Sequence, residues 1–448
     1  MTFAVVAWFV RATPTARDAP HIDLRRFAIV RALSNRACVA SLRAFAVAVF
    51  AIAIVAGFIG DQTPYRNPIV PIVWVIWWVG FAFVCALIGD AWALVNPLDT
   101  TFRLLDAIYG KLASDRSLSR YARYPPQLGA WPAVVLFAGF AWCELIWRDK
   151  DVPMQLACVV MAYALVAWVG MLVFDRRTWL QNAEAFSVAF GVLARFAPLC
   201  ADSDAPSRAI VLRPPGAGLV TREPVHVSMV VFVLLMLATV TFDGFQETAA
   251  MQRLETAVHE TPIAARFLFV VSEWGVDETQ LIHTLTLVAF PIAFVALFML
   301  ACRVAAGLAA DKTRAAVRAS TTAVARAFVL TLVPIAVAYH LSHYLSLLFT
   351  ASPFVVPLVS DPFARGWDLF GTAHQRVDIV PLHPYVVWYS AVALIVVGHV
   401  IAVFLAHIEA LRLFGERRAA LSSQVPITAL MVAYTTLSLW IFAQPIVG

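Results

Sequence analysis

Long apolar runs separated by short polar connections dominate this chain. Each run is about 17 to 25 residues long, the length that an α-helix needs to cross a hydrocarbon core about 30 Å thick. The runs occupy residues 44–60, 69–88, 131–147, 154–174, 227–242, 281–302, 327–349, 385–407 and 426–446. The pattern therefore predicts an all-α, polytopic membrane protein with about nine transmembrane helices.

Basic residues are concentrated in alternate connections, and they predict how the chain is oriented. The first 43 residues include Arg17, Arg25, Arg26, Arg31 and Arg36. Because cytoplasmic loops carry the excess of Lys and Arg, this segment is expected in the cytoplasm. An odd number of spans then places the C-terminus outside, and the acid-rich connection 245–280 is also external. We expect a basic cytoplasmic segment at 1–43 followed by a membrane domain at 44–448.

The stretch 179–196 differs from the spans, because polar and apolar residues alternate along it with helical spacing. Glu184 and Arg195 interrupt its apolar residues. This pattern is typical of an amphipathic helix that lies in the membrane surface rather than crossing the bilayer. We expect such a helix on the cytoplasmic side.

The composition excludes a soluble domain. Hydrophobic residues make up 61% of the 448 residues, charged residues make up 14%, and the mean hydropathy is +0.80. Such a chain is expected to be embedded in a lipid bilayer. The net charge of +5 indicates no nucleic-acid partner, and the six cysteines lack the spacing of a metal clip or a disulfide framework.

Two histidines, His340 and His343, lie inside the seventh predicted span. An ionisable group at such a depth is costly, so it is a candidate for a functional site. Side chains three residues apart project from one face of a helix, so both imidazoles can reach one metal ion or a metal pair. The alternative is that they hydrogen-bond to other helices and stabilise the bundle.

Further ionisable residues are predicted at the same depth, in the outer half of the membrane. At about 1.5 Å of rise per residue, His340 and His343 lie roughly 20 to 24 Å from the inner end of their span. Asp243, His283 and Glu144 each lie near the outer end of another span. Three imidazoles and two carboxylates form a donor set suited to zinc, iron or manganese. A divalent transition metal would also compensate the charge of both acids.

Each of these residues also has a simpler interpretation. Asp243 can be a helix-end residue, His283 can be interfacial, and Glu144 can pair with Arg148 one turn later. His399 is predicted in the inner half of the membrane, roughly 20 Å from the outer end of its span. It is a further candidate ligand, although a hydrogen bond within the bundle is the simpler role.

Several short motifs resemble those of a known family. They are Trp78-Val-Gly80 followed by Gly89-Asp-Ala-Trp-Ala-Leu-Val-Asn-Pro97, then Thr241-Phe-Asp-Gly244, Tyr339-His-Leu-Ser-His-Tyr344, and Gly398-His399 with Ala406-His407. Together they resemble a family of bacterial membrane proteins that includes members described as fenitrothion hydrolases. The resemblance begins at about Phe58, and Leu98 departs from the tryptophan that usually follows Asn-Pro. It implies activity on organophosphate triesters and a place in the bacterial cytoplasmic membrane.

The sequence thus predicts a membrane-embedded, metal-dependent hydrolase of lipophilic organophosphate triesters. A bound divalent metal lowers the pKa of its water and so supplies the nucleophile. The predicted imidazole ligands are His340, His343, His283 and His399. Asp243 is predicted to bridge or bind the metal, and Glu144 to be a ligand or the general base.

Two other classes of protein are consistent with the same residues. A transporter or channel subunit would bind an ion or solute at the same polar layer, and Pro291 and Pro334 fall inside spans, as in many transporters. A haem protein would use His340 and His399 as axial ligands, although their predicted depths differ. The sequence is also compatible with a second membrane subunit as a partner.

Overall fold

The computed structural model describes residues 22–113, 116–201, 210–221, 223–310, 319–377 and 383–444. Within these ranges, nine helical segments are long and apolar enough to cross a membrane. They are Arg36–Ile59, Ile69–Leu87, Pro126–Leu145, Pro153–Phe174, Val227–Gln246, Glu278–Ala310, Thr321–Ser360, Pro384–Phe414 and Arg417–Ala443. The predicted all-α bundle is confirmed. The side of the membrane on which each terminus lies stays a prediction.

The α-helices of the described residues are numbered here in chain order. They are α1 (Ala28–Leu33), α2 (Arg36–Ile59), α3 (Ile69–Leu87), α4 (Ala91–Val95), α5 (Pro97–Leu112), α6 (Trp131–Leu145), α7 (Pro153–Phe174), α8 (Arg176–Asn182), α9 (Ala185–Ala194), α10 (Val227–Gln246), α11 (Ala249–Glu260), α12 (Pro262–Ser272), α13 (Glu278–Ala310), α14 (Thr321–Phe328), α15 (Val333–Ala351), α16 (Val355–Ser360), α17 (Pro384–Phe414) and α18 (Arg417–Ala443). Helix α3 contains a π-helical stretch, Ile72–Gly80.

The structure describes two predicted segments outside the spans, the first of them only in part. Residues 1–21 of the predicted basic segment lie outside the described residues, and helix α2 already begins at Arg36. The acid-rich connection 245–280 contains helices α11 and α12. A small antiparallel sheet has the order β1 (Ile22–Asp23), β3 (Ile210–Leu212), β2 (Leu199–Ala201). It ties the start of the described chain to the connection between α9 and α10.

The spans differ in how far the protein itself encloses them. In the most apolar window of Val227–Gln246, 72% of the residues are buried, and for Thr321–Ser360 the share is 67%. In Glu278–Ala310 it is only 17%, and Leu285, Val288 and Ile292 are exposed large apolar side chains on that helix. Exposed apolar side chains on a spanning helix are suited to contact with lipid. Helix α10 and the α14–α16 segment therefore form the centre of the bundle.

A proline sets the start of the helix that carries His340 and His343. Pro334 stands in the first turn of α15, where its missing N–H costs no helical hydrogen bond. The preceding residues Val329–Leu332 are a 3₁₀ turn, which joins α14 to α15 without a loop. The seventh predicted span is thus a segmented helix, and the two histidines lie about two turns after the proline.

The stretch 179–196, predicted as one helix in the membrane surface, differs from that prediction. The chain is divided there into α8 and α9, and eight residues of the described helix α9 are buried. Helix α9 has the sequence Ala-Phe-Ser-Val-Ala-Phe-Gly-Val-Leu-Ala, and a helix that is apolar all round is expected to be enclosed by protein. Glu184 is its N-cap: the carboxylate accepts the backbone N–H groups of Phe186 and Ser187 and bonds to the hydroxyl of Tyr163. The polar residues that suggested an amphipathic face are therefore helix boundaries.

Gly170 gives a test of the packing between α7 and α8. A Cβ atom at this position would lie 2.0 Å from Cε2 of Trp179. We expect Gly170→Ala to lower the free energy of unfolding by about 1 to 3 kcal/mol, because the indole has to move. The measurement is thermal unfolding of the purified protein in detergent.

The matched control is Gly139→Ala in helix α6, where no atom of the described residues, outside the local backbone, lies within 4 Å of the added Cβ. This variant should be neutral, or more stable by up to about 1 kcal/mol, because alanine favours the helix. Equal melting temperatures for the two variants would contradict the packing of Trp179 on Gly170.

Candidate active site

An aspartate on one central helix meets a histidine and a tyrosine on another. Nε2 of His343 on α15 lies 2.8 Å from Oδ2 of Asp243 on α10. The hydroxyl of Tyr344 donates a hydrogen bond of 2.7 Å to the same oxygen. Gln246, one turn further along α10, donates to Oδ1 at 3.0 Å. The carboxylate is therefore held by three side chains, and its orientation is fixed.

The second predicted acid, Glu144, joins this group through Tyr344. The tyrosine hydroxyl lies 3.4 Å from Oε1 of Glu144, so it stands between the two carboxyl groups. Arg148, the simpler partner considered for Glu144, pairs with Asp277 at 2.7 Å instead. Glu144 is in the last turn of α6, and Asp243 is near the C-terminal end of α10. The structure thus brings the two predicted acids together at one level.

His340 lies beside this group in aromatic surroundings. Its ring is 4.7 Å from the ring of Tyr344, 5.5 Å from Trp78 and 6.1 Å from Phe83, measured between centroids. The side chain is buried, and its Nε2 has no hydrogen-bond partner among the described residues. An unpaired polar atom in a buried position is costly, and a functional role is one reason for its presence. We call Glu144, Asp243, His340, His343 and Tyr344 the polar cluster.

Two further buried donors border the polar cluster. Trp78 lies next to Glu144 and Tyr344, and the ring of Tyr339 stacks 6.0 Å from that of His343. The indole N–H of Trp78 and the hydroxyl of Tyr339 both lack a partner within the described part of the chain. The cluster therefore combines acids and bases with free donors.

Two predicted ligands are not part of the polar cluster, and this corrects the six-residue site. Nε2 of His283 lies 2.6 Å from Oε1 of Glu255, because helix α11 folds back alongside the start of α13. Nδ1 of His399 lies 3.1 Å from the hydroxyl of Thr435 on α18. His399 thus has the hydrogen bond within the bundle that was its simpler role, and His283 pairs with a residue of the connection 245–280.

The predicted centre for zinc, iron or manganese stays a prediction. Within the described ranges, no group of three or more His, Cys, Asp or Glu side chains is placed to hold a metal ion. Nε2 of His343 faces Asp243 directly, and a tyrosine hydroxyl separates Asp243 from Glu144. The arrangement is one of hydrogen bonds between acids and bases, and we assign no step to a zinc, iron or manganese ion.

Sequence reasoning gave no role to several residues that build this site. Tyr344 was visible as the neighbour of His343, but its position between two acids depends on how α6, α10 and α15 are rotated. Gln246 follows Asp243 at the i+3 spacing of helical neighbours, which is a local signal. Trp78 lies in the π-helical stretch of α3, and such stretches are frequent at functional sites.

An apolar cavity of about 150 Å³ lies one to two turns along α10 from the polar cluster. It is bounded by residues of α10, α13, α15 and α18, including Leu237, Phe294, Ile335 and Tyr434. The hydroxyl of Tyr434 lies 3.0 Å from that of Thr241, and its ring is 6.2 Å from the ring of Tyr339. Tyr434 and Tyr339 thus link the cavity to the polar cluster. An apolar cavity of this size is large enough for a benzene ring.

The bridging hydroxyl of Tyr344 can be tested against a matched neighbour. We expect Tyr344→Phe to lower the free energy of unfolding by about 1 to 3 kcal/mol, because the Asp243 carboxylate loses a donor. Tyr339→Phe removes a hydroxyl that has no partner in the described part of the chain, so it should be neutral or slightly stabilising. Thermal unfolding of both variants in the same detergent makes the comparison. A larger loss for Tyr339→Phe would contradict the hydrogen bonding described here.

The chain matches no protein-family model, no curated protein and no solved structure. The resemblance of its short motifs to a bacterial hydrolase family stays a prediction.

Proposed function

We propose that this protein is a membrane-embedded hydrolase of lipophilic small molecules and that the polar cluster is its catalytic centre. The observation that carries the proposal is the Asp243–His343 pair, joined to Glu144 by the Tyr344 hydroxyl, between spanning helices. Ionisable groups at membrane depth are expensive and usually functional. The resemblance of the short motifs to a bacterial family supports a place in a bacterial cytoplasmic membrane, and the alternating basic loops support the orientation of the spans.

The residues of the polar cluster are suited to general acid–base catalysis. An imidazole oriented by a carboxylate accepts a proton from an attacking water molecule, as in other hydrolases. Two neighbouring carboxyl groups can divide the roles of proton donor and proton acceptor. In this arrangement the His343–Asp243 pair takes the proton from water, and Glu144 is placed to return a proton to the leaving group.

The unpaired donors beside the cluster are suited to a developing negative charge. In phosphotriester hydrolysis, the oxygen of water bonds to phosphorus and the bond between phosphorus and the leaving oxygen breaks. Negative charge builds up on the phosphoryl oxygen, and fixed donors in a dry site stabilise it strongly. The hydroxyl of Tyr339 is such a donor, since it has no partner among the described residues. The N–H of Trp78 is a second donor, and it borders Glu144 and Tyr344.

The apolar cavity supports a lipophilic substrate. Its lining is almost wholly aliphatic and aromatic, and Leu297, one of its residues, is 53% exposed on the outer surface of α13. A molecule dissolved in the bilayer can therefore approach the cavity from the side, between helices. Aryl phosphotriesters have an aromatic ring of suitable size, and they belong to the class that the family resemblance implies.

The proposal predicts a sharp loss of turnover in two variants. We expect Asp243→Asn and His343→Gln to lower kcat for a p-nitrophenyl phosphotriester by roughly 10² to 10⁴, the usual contribution of an acid–base group. The assay follows p-nitrophenolate release by the full-length protein in nanodiscs, with elemental analysis of the same samples.

His283→Gln is the matched control, because His283 was predicted in the same layer but pairs with Glu255. It should keep kcat within about two-fold, since it lies outside the polar cluster. No hydrolysis by the native protein, or equal rates in all three variants, would reject the proposal. If the native protein contains a stoichiometric transition metal and His283→Gln lacks it, His283 is a metal ligand, as the sequence predicts.

A second candidate function has one observation in its favour. Polar pairs continue along α17 and α18 away from the polar cluster: His399 with Thr435 at 3.1 Å, and His407 with Gln424 at 3.0 Å. Histidines and carboxyl groups in succession across a bundle are typical of proton-coupled transporters. Such a protein would move a solute without changing it chemically.

The transporter candidate predicts that native protein in proteoliposomes dissipates an imposed pH gradient. His399→Leu should slow this flux at least about ten-fold, because it removes one member of the row of polar groups. The flux is followed with an internal pH-sensitive dye. Unchanged flux in His399→Leu, or the same leak in protein-free liposomes, would argue against transport.

A further inference from the structure

A second cavity lies at the opposite end of the bundle from the polar cluster. Its volume is about 370 Å³, and residues of α4, α5, α8, α9 and the first turn of α10 surround it. Met229 borders this cavity, and Asp243 follows 14 residues later on α10, which corresponds to about 21 Å along the helix. We call this cavity the arginine pocket, and it is separate from the proposed catalytic centre.

The arginine pocket has an excess of positive charge. Its described lining contains four arginines, Arg103, Arg176, Arg177 and Arg195, and two aspartates, Asp90 and Asp99. Four positive charges against two negative charges leave a net charge of +2. Arg103 and Arg176 both pair with Asp99, so this one carboxylate is shared between two guanidinium groups. The pocket is not neutralised by its own residues.

Arg177 and Arg195 have no ion pair with a described residue, and Arg195 is the more buried of the two. Its side chain is partly buried and forms no ion pair or side-chain hydrogen bond with a described residue. The guanidinium of the neighbouring Arg213 binds the backbone carbonyls of Ala194, Arg195 and Ala197, which closes the C-terminal end of α9. Burial and the charge of Arg213 lower the pKa of Arg195. A desolvated cation next to a like charge is stabilised by an anion.

A buried neutral donor beside the pocket also lacks a partner. Trp92 lines the arginine pocket and is only 5% exposed, and its indole N–H makes no hydrogen bond within the described ranges. Asn96, Gln181 and Ser187 add further polar groups to the lining. The pocket therefore offers neutral donors as well as charged ones, and acceptor oxygens are the group that both kinds bind.

We propose that the arginine pocket binds a phosphate-bearing anion. A phosphate group presents several acceptor oxygens and up to two negative charges, which match the fork of an arginine and the net charge of +2. The phosphate can belong to a free phosphate ester or to the headgroup of an anionic lipid, because the pocket lies at an end of the spanning helices. The inference goes beyond the proposed hydrolase and does not depend on it.

The first arm of the test uses inorganic phosphate. Full-length protein in phosphatidylcholine nanodiscs is titrated with phosphate at constant ionic strength, with chloride as the control anion, and Tm is recorded. We expect a saturable rise in Tm for the native protein. Arg195→Gln should raise the phosphate concentration at half-saturation about ten-fold, because it removes charge-assisted hydrogen bonds. Arg253→Gln, an exposed arginine on α11 at the other end of α10, should stay within about two-fold.

The second arm repeats the comparison in nanodiscs that contain phosphatidylglycerol. A higher Tm in these discs that is lost in Arg195→Gln and kept in Arg253→Gln would identify a lipid headgroup as the ligand. A response to free phosphate alone would identify a soluble phosphate compound. If Arg195→Gln does not fold, the exposed Arg177→Gln takes its place, with the same expected weakening. No response of the native protein in either arm, or equal responses in native protein and the pocket variant, would overturn the proposal.

Discussion

The structure depends on hydrogen bonds between buried polar side chains, because lipid offers these groups no partners. In a lipid-facing bundle, a carboxylate or imidazole at the centre has only other side chains as partners. The two most enclosed spans, Val227–Gln246 and Thr321–Ser360, are those that carry Asp243, His340 and His343. Their hydrogen bonds therefore fix how the two central helices are rotated relative to each other, and the outer helices pack around that pair.

The sequence predicted the spans well, but it predicted the members of the polar cluster only in part. Apolar length alone identified every spanning segment found among the described residues, because the thickness of the bilayer sets that length. Depth along a helix brought Asp243, Glu144, His340 and His343 to one level. The same argument included His283, which instead faces Glu255. Depth follows from counting residues, whereas the direction in which a side chain points depends on packing that one sequence does not reveal.

Helix α9 shows a second limit of prediction from the pattern of polar and apolar residues. Its own residues are apolar except for Ser187, but the flanking Glu184 and Arg195 made the whole stretch look amphipathic. Glu184 is buried because it caps the helix and bonds to Tyr163, and Arg195 borders a pocket. A charged residue at a helix boundary and one on a solvated face look the same in a sequence. Only the partners of the charge distinguish them.

The π-helical stretch Ile72–Gly80 has a consequence for the aromatic surroundings of His340. A π turn holds one more residue than an α turn, so a return to α geometry would rotate the residues on one side of it by about 100° relative to the other. Trp78 lies within this stretch, with its ring 5.5 Å from that of His340. The indole therefore stands beside the imidazole only while the wider turn persists. The π-helical geometry of α3 thus sets the direction of the side chain that borders both His340 and Glu144.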